Sequence, residues 1–391
     1  MVNSLADRID VPSCYTHVIS LQRTSESLGN VGASKQTRQS AWLNKLGMPI
    51  RNKLDLSFML VSHERRIGDW KIGIVNMTIA LTFPGQGSQT IGMGKAFFGQ
   101  FKVARDVFSE IDEALGQNLS TLMFEGPEEE LTLTANAQPA LMAVSLAALR
   151  VLEHEAGLDM KKHVAFVAGH SLGEYSALAA AGSLTLADTA RLLRIRGNAM
   201  QAAVSPGIGA MAALLGLDFA AASSVAAEAA QGEVCQAAND NGGGQVVVSG
   251  SKAAVERAIE LAKAQGARRA VMLSVSAPFH CSLMQPAADA MAAALEKVSI
   301  LAPIVPLVGN VSAMASSNPV AIRAALVAQV TGTVRWRESV EWMAAQGVKR
   351  FIEVGSGKVL TGLVKRIAAE TEGLSVSNPD DVGSFRTQVV L

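Results

Sequence analysis

Residues 163–173 read His163-Val164-Ala165-Phe166-Val167-Ala168-Gly169-His170-Ser171-Leu172-Gly173. An apolar run of strand length meets Gly-x-Ser-x-Gly, and an alanine-rich helical stretch follows over 173–181. Strand, sharp turn and helix in that order form an elbow that lifts the serine hydroxyl out of the backbone. Ser171 is therefore a candidate nucleophile. The start of the helix leaves N–H groups unbonded and places a positive dipole end beside the turn, so the Leu172 N–H is a natural oxyanion donor. In a chain rich in glycine, serine and alanine the same five letters also arise by chance; the flanking strand and helix are what make them an elbow.

Outward from the elbow, short apolar runs alternate with helical patterns. Strands are expected at 78–83, 163–168, 304–308 and 349–354. Helices are expected at 138–155, 173–181, 185–203, 283–297, 319–330 and 357–369. Such alternation implies a parallel sheet covered on both faces. The middle breaks this rhythm: strand 209–217, an alanine-rich helix 219–230 with Asp218 as its cap, strand 234–238, a turn, strand 245–249, helix 252–265 and strand 268–275. The turn is Asn239-Asp240-Asn241-Gly242-Gly243-Gly244, residues that tolerate positive φ. The order β-α-β-β-α-β is that of a ferredoxin-like split unit. The expected fold class is α/β: an α/β-hydrolase-like large domain over 77–204 and 276–391, with a ferredoxin-like small domain, 205–275, inserted in it. The cleft between them is the expected ligand site.

The composition is globular, with 49% hydrophobic and 17% charged residues among 391. Thirty-four basic residues balance 34 acidic ones, so no global field favours nucleic acid. No apolar run is read as a membrane span, and the three scattered cysteines suit a reducing cytoplasm. The first 76 residues hold ten Lys/Arg and six Asp/Glu and show no sustained period. They are expected to be a disordered or non-native extension, with Met77 as the working start.

Two further segments carry chemistry. Phe83-Pro84-Gly85-Gln86-Gly87-Ser88-Gln89 follows the first strand. It lacks the third glycine of a dinucleotide turn and the lysine of a phosphate loop. It is either a tight structural turn or a loop offering N–H groups, such as that of Gln86, to an oxyanion. Of six histidines, His17 and His63 fall in the N-terminal segment, His154 and His163 at element ends, and His170 next to the serine, where an elbow is expected to turn it away. His280, in Ser276-Ala277-Pro278-Phe279-His280-Cys281 at the exit of the inserted unit, is left as the candidate base.

Phe-Pro-Gly-Gln-Gly-Ser-Gln, Gly-His-Ser-Leu-Gly-Glu and Pro-Phe-His, in this order, resemble the malonyl-CoA:acyl carrier protein transacylases. Arg196-Gly197-Asn198-Ala199-Met200-Gln201 and Glu353-Val354-Gly355-Ser356-Gly357-Lys358-Val359-Leu360 are similar to two more of that family's segments. The resemblance runs from about 77 to 370. It implies Ser171 as nucleophile, His280 as base, Gln86 and Leu172 as oxyanion N–H donors, and Arg196 as the malonyl carboxylate's partner. It also implies the backbone carbonyl of Gln329 as the group that orients the histidine. The implied partners are malonyl-CoA and acyl carrier protein, with malonyl-CoA as substrate and no bound cofactor or metal, in a monomeric cytoplasmic enzyme that engages neither nucleic acid nor membrane. Departures are small: Ser356 stands where proline is common and Cys281 where serine is frequent.

Other readings stay open. A serine hydrolase or thioesterase has the same elbow and histidine and differs in giving the acyl group to water. Malonyl transferases of polyketide or malonate decarboxylase systems share the motifs and differ in the acceptor. A non-catalytic carrier-protein-binding homologue would fail to become acylated.

Overall fold

The computed structural model describes residues 79–390 apart from Ser276, so the expectation for 1–76 lies outside the described residues. The ten strands are β1 (Ile79–Phe83), β2 (Val164–Gly169), β3 (Gly209–Leu215), β4 (Cys235–Asp240), β5 (Gln245–Ser251), β6 (Arg269–Met272), β7 (Leu307–Val308), β8 (Ala315–Ser316), β9 (Arg350–Val354) and β10 (Glu372–Val376). Six of them form one sheet in the order β10-β9-β1-β2-β7-β8. It is parallel except for the short β7–β8 pair at its edge. Every residue of β1 is buried, as a central strand between two helical layers requires.

The remaining four strands form an antiparallel sheet, β4-β5-β3-β6. Helices Phe219–Ala230 and Lys252–Ala264 pack on it around Leu214, Val225, Val248 and Val255. Asp218 caps the first of these, its carboxylate accepting from Ala221 N at 2.8 Å. Where β4 ends, the antiparallel sheet is tied to the segment between helices Pro319–Thr331 and Trp336–Ala345. Asp240 N donates to Val334 O and Val334 N to Ala238 O, each at 2.9 Å. The chain then turns back through Gly242, Gly243 and Gly244, all at positive φ.

Helix Thr134–Glu155 has the length and mean hydropathy, 1.2, of a membrane span, which the sequence reading did not anticipate. Its apolar window is 89% buried inside the protein, so it serves as the central core helix. Pro139 is the sixth residue of this helix, beyond the first turn, so it removes one intrahelical hydrogen bond, to the Ala135 carbonyl. The strand expected at 304–308 shrinks to Leu307–Val308, because Pro303 and Pro306 interrupt the ladder.

Candidate active site

The elbow stands where β2 meets helix Gly173–Ala180. Ser171 adopts φ 55°, a left-handed conformation that a serine holds only when its surroundings impose it. Those surroundings are specific. A Cβ on Gly169 would overlap the backbone of Gly173, and one on Gly173 would overlap the Phe83 carbonyl oxygen, so both must be glycine. Asn310, just after β7, clamps the turn from outside: its Oδ1 accepts from Ser171 N at 2.8 Å and its Nδ2 donates to Gly169 O at 2.7 Å.

His280 is buried, also at positive φ, 60°, and its Nε2 lies 2.7 Å from Ser171 Oγ. Its Nδ1 lies 2.9 Å from the Gln329 carbonyl oxygen, which can only accept. Nδ1 therefore carries the proton, and Nε2 is free to receive the serine's. Burial, then the facing charge of Arg196, pushes the imidazole down to about 3, so it is neutral over the working pH range.

Arg196, on helix Leu186–Ala202, is 1% exposed. Nη1 donates to Gln138 Oε1 at 2.7 Å, and Nη2 to Gln329 Oε1 at 2.8 Å and Ser171 Oγ at 3.1 Å. The guanidinium carbon lies 5.7 Å from the centre of the Tyr175 ring. Glu174, fully buried in the first turn after the elbow, accepts from Gln329 Nε2 at 2.9 Å and Asn310 N at 3.0 Å. Burial pushes its carboxyl up to about 7, against the opposing pull of these hydrogen bonds and of Arg196.

Ser171, His280 and Arg196 face a cavity of about 370 Å³ lined by Met211, Ala213 and Val247 of the antiparallel sheet, by the elbow and by Val359, Leu360 and Leu363 of helix Val359–Ile367. Gln86 and Leu172 line it too, and among the described residues neither backbone N–H donates to a protein acceptor. The Gln86 side chain is occupied elsewhere, accepting from Thr134 Oγ1 at 2.6 Å. Ser171, His280, Arg196, Gln86, Leu172 and Gln329 thus meet in one place. Among the described residues no cluster of His, Cys, Asp or Glu is arranged to hold a metal ion.

The acyl transferase domain model matches residues 81–381. A malonyl CoA-acyl carrier protein transacylase of Escherichia coli (strain K12) is 49% identical over 300 residues, 77% of this chain and 96% of the relative. The chain belongs to the malonyl CoA-acyl carrier protein transacylase family. Among solved structures, an acyl-carrier-protein-S-malonyltransferase from Bartonella henselae is 58% identical with a TM-score of 0.79, covering 81% of this chain and all of that one. A malonyl-transacylase solved in complex with a type II PKS acyl-carrier protein is 44% identical with a TM-score of 0.76, covering 78% and 98%.

For this transacylase family member the sequence reading erred at His170. The ring does not turn away: it lines the cavity, with Nε2 2.9 Å from Asn241 Oδ1, and burial lowers its pKa. Gln138, Asn310 and the Gln329 side chain were missed. Glu174 was quoted within a motif and given no role. Gln138 sits in an apolar helix, where a buried amide is a signal. Asn310 carries no local signal at all.

Proposed function

We propose that this enzyme moves a malonyl group from malonyl-CoA to the phosphopantetheine thiol of acyl carrier protein, supplying fatty acid synthesis, through an ester on Ser171. The observation that carries the reading is one hydroxyl shared by a base and a buried cation: Ser171 Oγ lies 2.7 Å from His280 Nε2 and 3.1 Å from Arg196 Nη2. Ser171 attacks the thioester carbonyl and its proton passes to His280. The Gln86 and Leu172 N–H groups receive the oxyanion; one such donor is worth roughly 3–4 kcal/mol in the transition state. The C–S bond breaks and the proton leaves with the sulfur of CoA. The carrier thiol then attacks the malonyl ester, giving its proton to His280, which returns it to Ser171. Side chains, backbone N–H groups and the two thiols carry every step, with malonyl-CoA entering as substrate.

Arg196 selects the acyl group, because a guanidinium grips a carboxylate with two charge-assisted hydrogen bonds. An acetyl group would leave that buried charge unpaired, at a cost of roughly 3–5 kcal/mol. Residues 205–275 are read as a ferredoxin-like small domain inserted into an α/β-hydrolase-like one, 77–204 and 276–391. The enzyme is placed in the cytoplasm as a monomer. Its acidic carrier protein would meet the cavity rim near Arg366, whose Nη2 donates at 3.3 Å to Gln245, a lining residue.

Intact-protein mass tests the mechanism. Wild type mixed with malonyl-CoA should gain one malonyl group, and Ser171→Ala none. The adduct should discharge faster to holo carrier protein than to buffer. No adduct on wild type removes Ser171 or malonyl-CoA from the scheme, and equal discharge by buffer makes the protein a hydrolase.

A further inference from the structure

Arg196 is bonded to the very atom that must attack. Its Nη2 gives one N–H to Gln329 Oε1 and the other to Ser171 Oγ, and Nη1 is engaged by Gln138. Nε is buried and has no acceptor. A carboxylate that takes two parallel bonds from a guanidinium uses the Nε–Nη2 edge or the Nη1–Nη2 edge. Among the described residues Nε–H and the second N–H of Nη1 are unengaged, and both edges share Nη2, the nitrogen that holds Ser171. A carboxylate that takes two bonds from either edge therefore has to claim an Nη2 N–H, and Ser171 Oγ, at 3.1 Å the longer of the two Nη2 contacts, is the competitor it displaces.

We propose that Arg196 also restrains the nucleophile, and that the carboxylate of the incoming acyl group releases Ser171 by taking over Nη2. This rests on the malonyl-transfer reading above. Its content is that the carboxylate speeds the bond-making step, beyond anchoring the substrate.

The chemistry follows from where the electrons go. Attack forms the Oγ–C bond, moves the carbonyl π pair onto oxygen and sends the hydroxyl proton to His280 Nε2. As Oγ electron density moves into the new bond, Oγ becomes a poorer acceptor and the Nη2 hydrogen bond weakens. At the same moment an imidazolium forms facing the guanidinium. Among the described residues no carboxylate makes a salt bridge with Arg196; its direct acceptors are two amide oxygens and the serine. Glu174 stands behind the Gln329 amide, and with Arg196 1% exposed, water screens little of the charge. A bound carboxylate removes both penalties: it replaces the serine on Nη2, and it balances the cation before the imidazolium appears. An acyl group without one meets the restraint in full. The discrimination then appears in kcat as well as in KM.

The test uses a neutral serine reagent, phenylmethylsulfonyl fluoride, and single-turnover acylation by acetyl-CoA, both lacking a carboxylate. Gln138→Glu places a carboxylate on Nη1 in nearly the shape of the native amide and leaves Ser171 untouched. Arg196→Met removes the cation and keeps much of its bulk. Sulfonylation of Ser171 and acetylation at saturating acetyl-CoA should rise roughly 10-fold in Arg196→Met, which loses both the Nη2 bond and the charge, and by less in Gln138→Glu, which balances the charge and keeps the bond, while malonyl loading at low malonyl-CoA falls in both. Thermal melting establishes which variants are folded, and Arg196→Leu, which likewise removes the Nη2 bond, decides if Arg196→Met is not. Rates no higher than wild type in the folded Arg196 variant overturn the restraint. The sulfonylation arm needs no acyl donor, so a wild type that fails to take malonyl from malonyl-CoA would sink the functional reading while leaving this arm to be judged on its own.

Discussion

Two buried titratable side chains flank the serine and respond to acid in opposite senses. His280, driven down to about 3 by burial and by Arg196, is neutral in the fold where an unfolded histidine, near 6.5, takes up a proton. The unfolded chain then binds more protons between those values, and stability falls as pH drops from 6.5. Glu174, raised to about 7 by burial from an ordinary 4.5, does the reverse. Between 7 and 4.5 the folded state holds the extra proton, and stability grows as pH drops. The two slopes, each at most ~1.4 kcal/mol per pH unit, oppose one another from 6.5 to 4.5. Glu174→Gln should uncover the histidine slope, so that the variant loses stability below about 6.5, and its loss relative to wild type runs from about 7 down to 4.5. Denaturant unfolding at a series of pH values checks this; parallel wild-type and variant curves across that window would show that Glu174 takes up no proton there. At this scale Ser171 and His280 were legible, because one sits in a spaced pattern and the other was left by elimination. The roles of Arg196 and Gln329 were legible only through family resemblance. Gln138 left only the trace of an amide in an apolar helix and Asn310 none, since a hydrogen-bond partner 58 or 139 residues away along the chain is not written locally.

The elbow, two elements joined by a turn, depends on a third. Asn310 holds the turn through Gly169 O and Ser171 N, and its own N–H reaches Glu174. Asn310→Ala orphans a buried donor and acceptor, each costing ~1–3 kcal/mol where unsatisfied. The Ser171 φ of 55° loses one of the contacts that impose it. Malonyl loading should therefore fall by at least about 10-fold. Asn310→Asp keeps the acceptor for Ser171 N and should retain more activity than alanine at similar melting temperature; equal loss in both would mean that Asn310 only fills space. Element legibility followed apolar texture. Strands β1 and β2 are nearly continuous apolar runs, β9 sets Phe351, Ile352 and Val354 beside the charged Arg350 and Glu353, and all three were read to within a residue or so at each end. β10, Glu372-Gly373-Leu374-Ser375-Val376, was missed: it is a polar-flanked edge strand with a glycine inside. The helices between Lys95 and Thr132 were missed too. One of them, Lys102–Leu115, places Ala104, Val107, Phe108 and Ile111 on one face, a period available to a window placed there.

Across the whole molecule, the cavity lies where the antiparallel sheet meets the elbow and helix Val359–Ile367, and a chain of zero net charge must attract an acidic carrier protein through local charge alone. Among the basic pairs of the sequence, Arg268-Arg269, Lys349-Arg350 and Lys365-Arg366 are the candidates, and the fold sorts them. Arg350 is ion-paired with Glu372 at 2.6 Å on the sheet edge. Arg366 packs over Gly243 and bonds to Gln245, and Arg268 covers Gly216, which itself bonds to Gly244. These two arginines therefore bracket the glycine turn beside the lining residue Gln245, Arg366 from helix Val359–Ile367 and Arg268 from the residue before β6. Neither is among the ion-paired residues described. Charge at a rim acts mainly on encounter and is screened beyond ~10 Å at 0.1 M salt. The transfer half-reaction should accordingly weaken with ionic strength more than malonyl loading does. Arg366→Glu should raise KM for the carrier roughly 10-fold, more than it raises KM for malonyl-CoA, and should flatten the salt dependence. Stopped-flow discharge of the preformed malonyl-enzyme against carrier concentration, at two salt concentrations, separates the terms. A variant whose salt dependence matches wild type would move the docking face away from this rim.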